Sequence, residues 1–476
     1  MTLLKGGRFF HFLKMYILEL LESFIVGFAN WIWGIPLLIL LLGGGLFFTL
    51  YSRFLPFKYF GHAINVLRGK YDDPSEKGEI NHYQALSTQL ASTVGMGNIA
   101  GVAVAIVMGG PGAIFWMWIS AILGITTKFF TCTLSLMYRS TDENGQVHGG
   151  SMHVIKEALS KRWMPLAYLF SIMGMIGCLP VFQANQLTQV IRDVVLIPAQ
   201  LGQNTFDFMG IAIRFSDLYV GLGLTVLVAV VIFGGLQRIS NVASRMVPLM
   251  IVIYFITVII IVLMNVTAVP EMIGLIITDA FTGQSVMGGA VGAVIITGAR
   301  RAAFSNEAGI GTAPIAHGAA KTDEPVREGL VAMLGPAIDT LIVCTLTALA
   351  ILITDVWQIT DLDGVTLTSQ AFEVALPGIG NYILLLCIFF FATSSLFTYS
   401  WYGSRCFAFL AGERNKHYYN YIYVATIVIG SVVSLKTIIS LIDGSFAMMA
   451  IPTMLSTIYL APRVMRKAKE YFASIE

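Results

Sequence analysis

The sequence predicts an all-α integral membrane protein of eleven transmembrane helices. One extra N-terminal helix precedes a core of five plus five helices in inverted repeat, and two of the core helices are broken. Three observations lead there. Of 476 residues, 56% are hydrophobic and only 12% are charged, about half the charged share of a soluble domain. Apolar stretches of about 20 residues, the length that crosses a hydrocarbon core of roughly 30 Å, recur from Trp31 to Leu460. Two of these stretches are interrupted by glycine and polar residues at matching places in the two halves.

Taken in order, residues 1–82 form an N-terminal segment, the extra helix and a cytoplasmic loop. Met1 to Asn30 mixes Lys5, Arg8, Lys14, Glu19 and Glu22 with aromatic and aliphatic residues. It lacks a clean apolar run followed by a small-residue cleavage site, so it reads as an interfacial amphipathic helix rather than a removed signal peptide. Spans follow near 30–52, 83–107, 112–138, 164–191, 216–234, 244–266, 286–316, 328–353, 380–404, 419–434 and 440–461. Residues 83–266 make the first repeat, 286–461 the second, and 462–476 a basic cytoplasmic tail.

Lysine and arginine concentrate on the cytoplasmic side of a membrane protein. Placing the 53–82 loop inside gathers Arg53, Lys58, Arg68, Lys70 and Lys77 there, with further basic residues at 139–162, 321–327, 405–416 and 463–469. The outer segments keep only Lys5, Arg8, Lys14, Arg214 and Lys436, and the loop 354–379 carries Asp355, Asp361, Asp363 and Glu373 with no basic residue. The C-terminus is then cytoplasmic and the N-terminus outside. Each half holds an odd number of spans, so the halves enter the bilayer with opposite orientation.

The first interruption is "STVGMGNIAGVA", Ser92 to Ala103; the second lies within "VGAVIITGARRAAFSNEAGIGTAPIAHG", Val291 to Gly318. A helix in lipid must satisfy its own backbone, and unwinding is tolerated only where the freed groups meet protein, a cavity or a ligand. Freed N–H groups at a half-helix N-terminus attract a carboxylate, and freed carbonyls and hydroxyls replace water around a small cation. Paired interrupted segments in matching halves point to a transporter binding site. The bland alternative is close packing, since Gly97 and Gly101 have small-xxx-small spacing. Taken singly, each glycine fits that reading better; the matched pair of interruptions does not. Arg300, Arg301, Asn306 and Glu307 put charge and polarity in the second interruption. Snorkelling explains the arginines about as well as function does, and Asn306 and Glu307 fit it less well. Further polar clusters are "FQANQ" (Phe182 to Gln186), "FFFATSSLFTYSWYGSR" around Thr393, Ser394, Ser395 and Tyr399, and the acid of "GPAIDT", Asp339.

Several classes are excluded. "GMGNIAG" imitates a dinucleotide fingerprint but has no preceding strand and no acid about 20 residues on. No basic run suggests nucleic acid. The five cysteines are scattered without CxxC spacing, so neither a disulfide framework nor a zinc site is indicated. His148 and His153 lie in a loop and His317 stands alone, which gives no metal or catalytic constellation; the chain does not read as an enzyme. An ion channel is the alternative from another class, and the paired breaks favour a carrier over it.

At "VGMGNIAGVAVAIVMGGPGAIFWMW" the sequence resembles the alanine or glycine:cation symporter family, the sodium:alanine symporters. "GGLQRISNVASRMVP", "RRAAFSNEAGIGTAPIAH" and "MLGPAIDT" agree with it, and the resemblance runs from about Trp33 to the C-terminus. It implies the leucine-transporter type of fold and inward movement of a small neutral amino acid with sodium in the plasma membrane, with no further cofactor and lipid as the only other partner. Carried over position by position, Thr93, Gly95, Gly97 and Asn98 would meet the substrate from the first broken helix. Thr297 and Gly298 would meet it from the second, Gln183 and Asn185 from the fourth span, and Tyr399 from the ninth. Sodium would take the Ala91 and Val94 carbonyls with hydroxyls of Ser394 and Ser395, or Thr393 if the register shifts by one. The chain departs from the family pattern at Tyr399-Ser400-Trp401-Tyr402-Gly403, where Trp-Ser-Tyr-Tyr-Gly is usual, and at Ala302, where glycine is usual. The first change alters an aromatic wall, so alanine, glycine, serine and glutamine all stay open as substrates, as does a proton in place of sodium.

Overall fold

In the computed structural model the chain is a helical bundle, described for residues 20 and 23–475 apart from 74, 143–144, 209–210, 283–290, 360–361, 363 and 434. Lys5, Arg8 and Lys14, the basic residues that weigh against an outer N-terminus, lie outside the described residues, as do Asp361 and Asp363. Helices α1 (Ser23–Ile32) and α2 (Ile35–Tyr51) meet at a bend of 45°. Pro36 explains the break: it supplies no N–H, and Gly34 ahead of it is extended (ψ −176°). After α3 (Phe60–Leu67) come α4 (His82–Thr93) and α5 (Gly97–Gly109), bent by 51° to one another. Then follow α6 (Ala113–Met137), the short α7 (Ser151–Ala158), α8 (Met164–Gly177) and α9 (Val181–Ile191). Next are α10 (Phe215–Ile232), α11 (Gly235–Met264) and α12 (Val269–Thr282). The rest of the chain folds as α13 (Val291–Asn306), α14 (Ala313–His317), α15 (Pro325–Ile353), α16 (Gly364–Ala375), α17 (Gly380–Ala411), α18 (Lys416–Val432) and α19 (Leu435–Ile475). Two small antiparallel hairpins, β1–β2 (Ser140–Thr141 with Val147–His148) and β3–β4 (Thr205–Phe208 with Ile211–Arg214), sit in loops.

Among the described residues seven helices are long and apolar enough to cross a bilayer, or nine if each bent pair counts as one. Of the eleven expected segments, two fall short for identifiable reasons. Helix α18 has 17 residues, and the 291–317 segment is cut after Asn306. Helix α11 begins earlier than its hydropathy implies, because the polar stretch before Pro248 continues the helix. The protein is a multi-pass membrane protein, and its outward faces fit that: Val226, Val230, Leu263 and Met264 are each more than 60% exposed.

The two broken segments lie in the middle of the bundle. Helices α4 and α5 pack on α11, α16 and α17, while α13 and α14 pack on α6. The packing is close enough to dictate small residues. A Cβ on Gly298 would lie 2.4 Å from the Ala113 carbonyl oxygen, and one on Gly97 would lie 3.2 Å from Ser305 Cα. Gly97 thus serves the packing role weighed in the sequence, with the two breaks in direct contact there.

Candidate functional site

The first break starts where α4 loses its ladder. Asn81 opens α4 with a capping box shared with Gln84, and the helix runs to Thr93. Val94 leaves the helical region (ψ 89°). The chain re-enters a helix as a π-turn over Gly97–Gly101. The Asn98 side chain holds this geometry: Gly95 N–H donates to Asn98 Oδ1 (2.8 Å), and Asn98 Nδ2 donates to Asp339 Oδ1 (2.7 Å) and to the Asp339 carbonyl (3.1 Å). Asn98 is therefore a brace between the break and α15. Above it, the Thr368 hydroxyl of α16 donates to the Ile99 carbonyl (3.2 Å).

The second break lies further along than Thr297 and Gly298. Helix α13 is continuous to Asn306, and the chain then turns through Glu307, Gly309 and Gly311 at φ 54°, 85° and 106° before α14. Gly309 and Gly311 take a left-handed conformation open to few other residues. Thr297 and Gly298 sit two turns earlier, with Thr297 against Gly109 and Gly298 against Ala113 and Trp116. At the break itself Asn306 Nδ2 donates to Thr340 Oγ1 (3.0 Å), and Ala308 N–H donates to Asn306 Oδ1 (2.9 Å). Glu307, fully buried, accepts from the Tyr399 hydroxyl (2.5 Å) and from the Thr312 hydroxyl.

Asp339 joins the two breaks. Its carboxylate accepts from Asn98 of the first, and from Ser305 (2.8 Å) of the second together with its neighbour Thr340 (2.7 Å). The acid of "GPAIDT" is thus the group that the two breaks share. Nothing in the sequence marked it beyond its being an acid in an apolar segment, which is itself costly without partners.

Beside the first break, the Ala91 carbonyl is met by two hydroxyls of α17. Ser395 Oγ lies 3.0 Å from it and Ser394 Oγ 3.3 Å. Ser395 also approaches the Ser92 carbonyl (3.5 Å), and a Cβ on Gly95 would fall 2.6 Å from Ser395 Oγ. Main-chain carbonyl and hydroxyl oxygens from two elements converge here, a donor set suited to a hard monovalent cation and poor for a soft one. Val94 closes α4 beside them. Both serine hydroxyls also lie 3.0 Å from the Phe391 carbonyl of their own helix, and Thr393 bonds within that helix alone, to the Phe389 carbonyl (2.6 Å). Thr93 does likewise toward Gln89 (3.1 Å), the default for a hydroxyl in a helix.

The α9 residues separate. Gln183 is buried with Oε1 unpartnered. Asn185 faces α18 and donates to the Gly430 (3.1 Å) and Val433 (2.8 Å) carbonyls, so it ties off the end of that helix.

Two ion-pair clusters flank the breaks. His82 and His317 both reach the buried Glu328 carboxylate of α15, and His317 also meets Gln89, so one acid ties α4 to α14. On the other side of the second break, Arg300 and Arg301 share the buried Asp443 of α19 (2.6 and 2.5 Å), and Trp33 Nε1 donates to the Asp443 carbonyl (2.9 Å). A third cluster lies off the helices that hold the breaks. Asp142, His148 and Glu413 approach one another closely enough to be weighed as a metal site, a grouping that the loop position of His148 does not reveal. Arg405 Nη1 donates to His148 Nδ1 (2.7 Å), which leaves the ring proton on Nε2, facing Asp142 at 3.0 Å. A protonated Nε2 cannot ligate a metal, so the group is an ion-pair clasp between β2 and the α17–α18 turn.

Known proteins resemble the chain over nearly its whole length. The family model for the sodium:alanine symporter family matches residues 18–476. The chain belongs to that family. This symporter-family chain is 38% identical over 467 residues to an uncharacterized transporter of Haemophilus influenzae, covering 96% of this chain and 97% of that one. It is 35% identical over 449 residues to the sodium/alanine symporter AgcS of Methanococcus maripaludis (93% and 95% covered). It is 34% identical over 455 residues to the probable sodium/glutamine symporter GlnT of Bacillus subtilis (95% and 91% covered). Among solved structures, MhsT in complex with L-phenylalanine aligns with a TM-score of 0.54 at 13% identity, over 82% of this chain and 98% of that one. The symporter-family chain therefore has the leucine-transporter type of fold, and it is a transporter rather than an enzyme.

Proposed function

We propose that the protein is a secondary active transporter that imports a small neutral amino acid, alanine or glycine foremost, coupled to sodium by alternating access. The observation that carries this reading is the convergence of the Ala91 carbonyl with the Ser394 and Ser395 hydroxyls at the unwound end of α4. That cradle joins the unwound end of α4 to α17, so a cation seated there favours one arrangement of the break. Substrate bound across Gly95, Gly97 and Asn98 would feel the same arrangement, and the two ligands would strengthen each other's binding reciprocally.

In this reading the eleven expected segments are eleven spans. The core from α4 to α19 is two inverted repeats of five, the C-terminus is cytoplasmic and the N-terminus outside, in the plasma membrane. Tyr399 and Gln183 complete the substrate pocket, and Thr93, Thr297, Gly298 and Asn185 support it at one remove. The AgcS relative favours alanine, and the GlnT relative keeps glutamine as the alternative substrate. The test is uptake of radiolabelled alanine into proteoliposomes under an imposed sodium gradient, with glycine, serine and glutamine as competitors. Equal uptake without the gradient removes sodium coupling, and a separately imposed proton gradient decides its rival. Conductance in a planar bilayer without substrate would favour a channel.

A further inference from the structure

Helix α6 turns one face toward the second break. Gly124, Lys128 and Cys132 lie one above another on it, at the four-residue spacing of a helix face. A Cβ on Gly124 would meet Ala308 Cβ at 2.8 Å and Pro336 Cβ at 3.7 Å. Cys132 packs with Ala313 and Ala332. Lys128, between them, is therefore held between the Glu307–Thr312 turn and α15. It is 1% exposed, and its Nζ has no hydrogen-bond partner among the described residues. An unpaired ammonium at membrane depth is strongly disfavoured, so Lys128 keeps its charge only where the field of its neighbours balances it. The carboxylate that attracts it most is Glu307, with Asp339 behind.

The two acids are not equivalent. Asp339 receives three donors, from Asn98, Ser305 and Thr340, and its negative charge is spread over them. Glu307 receives two hydroxyls, one on each oxygen, from Tyr399 and Thr312, and keeps lone pairs to spare. Two carboxylates against one ammonium leave room for a further positive charge.

We propose that Lys128 is a resident cation of the second break, which neutralises Glu307 and so sets how many mobile monovalent cations bind together with the substrate. Without it, Glu307, Thr312 and Tyr399 form an oxygen cradle for one more sodium ion or proton. The cation-counting part rests on the symport reading above; the charge-balance part does not.

The experiment uses the full chain in detergent. Binding of radiolabelled alanine is followed against sodium at constant ionic strength, at mildly acid and mildly alkaline pH. Lys128→Met is expected to steepen the sodium dependence by one ion, or to add a proton dependence, and to weaken alanine binding at low sodium by about tenfold or more. Lys128→Arg keeps the wild-type steepness. The neutral pair Lys128→Met with Glu307→Gln returns the cation dependence to that of the wild type. Glu307→Gln alone, which leaves the ammonium unopposed, lowers sodium affinity. Unchanged steepness in Lys128→Met at both pH values, no return in the double variant, or unchanged sodium affinity in Glu307→Gln each overturns the proposal.

If wild-type binding ignores sodium altogether, the symport reading fails by itself. Thermal unfolding in choline buffer then tests charge balance. Lys128→Met should unfold earlier than wild type and recover when Glu307→Gln is added. The same recovery is expected if Lys128→Met alone does not fold, and a double variant no better than the single overturns the proposal.

Discussion

Asp339→Asn tests whether the two breaks are braced through one carboxylate. The substitution keeps shape and removes the charge. Ser305 and Thr340 donate to Oδ2 through hydroxyls, which can rotate and accept instead. Asn98 cannot reverse, because its Oδ1 is engaged by the Gly95 N–H and only its amino group faces Asp339. If the new amide keeps its oxygen toward the two hydroxyls, its amino group confronts Asn98 donor to donor. If it flips, Asn98 is satisfied and both hydroxyls must turn. Either way a charge-assisted bond is lost, worth about 1.5–3 kcal/mol, and the strain of a buried unmatched donor brings the cost to about 2–4 kcal/mol. Ser305→Ala, which removes one of several donors and leaves the charge, should cost about 1.5 kcal/mol, the low end for a bond to a charged group. The assay is thermal unfolding of the purified protein, read beside sodium-dependent alanine binding. Asp339→Asn should unfold several degrees earlier and bind alanine much more weakly, with Ser305→Ala closer to wild type. If Asp339→Asn behaves as wild type, or Ser305→Ala is as damaging, the brace is not where the reasoning puts it.

Gly95→Ala pushes a methyl to 2.6 Å from Ser395 Oγ; the hydroxyl must move, so the sodium concentration for half-maximal alanine binding should rise at least about tenfold, with overpacking of about 1–3 kcal/mol behind it. Retained sodium affinity would remove Ser395 from the cation cradle. Tyr399→Phe deletes the hydroxyl donated to Glu307 and should cost about 1.5–3 kcal/mol of stability, measured by thermal unfolding; a silent substitution would show that Glu307 finds its partners elsewhere. His153, on α7 outside the spanning helices, is held far below the usual histidine range, at about 3, by burial and then by His148, Arg405 and Lys156. The unfolded chain takes up that proton near pH 6.5 while the folded chain refuses it, so stability falls as pH drops below about 6.5. His153→Gln should flatten the fall of the unfolding temperature over that range, and an equally steep fall would place the acid sensitivity in other groups.

The first break was legible because several glycines and an amide fall together in an apolar segment, matched by a second such segment; that the Asn98 side chain braces the main chain there was not legible. The second was legible as a segment but not as a position. Thr297 and Gly298 carry a substrate role that only the resemblance implies, and a lone glycine in a helix is equally a packing residue; Gly298 lies where Ala113 leaves no room for a side chain. The turn needed three positive φ values in succession-spaced positions, at Glu307, Gly309 and Gly311; the glycines hint at this and the glutamate does not. Asp339 was unreadable as a hub, since its partners come from α5 and α13, distant in sequence. The same holds for His148, whose partner Arg405 decides which ring nitrogen carries the proton. Asn185 shows the opposite limit: polarity inside an apolar helix identifies a group that needs a partner without saying whether that partner is a ligand or the end of a neighbouring helix.

The Asp443 clasp reaches beyond the two arginines. Arg300 also bonds to the Asn30 side chain (3.1 Å) and lies over the Trp33 ring, whose indole N–H grips the Asp443 carbonyl. The N-terminal helix pair is thereby fastened to both partners of the clasp at its own hinge. Any rearrangement that pulls α13 from α19 must disturb the surroundings of this indole, so Trp33, in a variant stripped of the chain's other six tryptophans, is an optical reporter whose emission would follow the opening of that contact without an added dye.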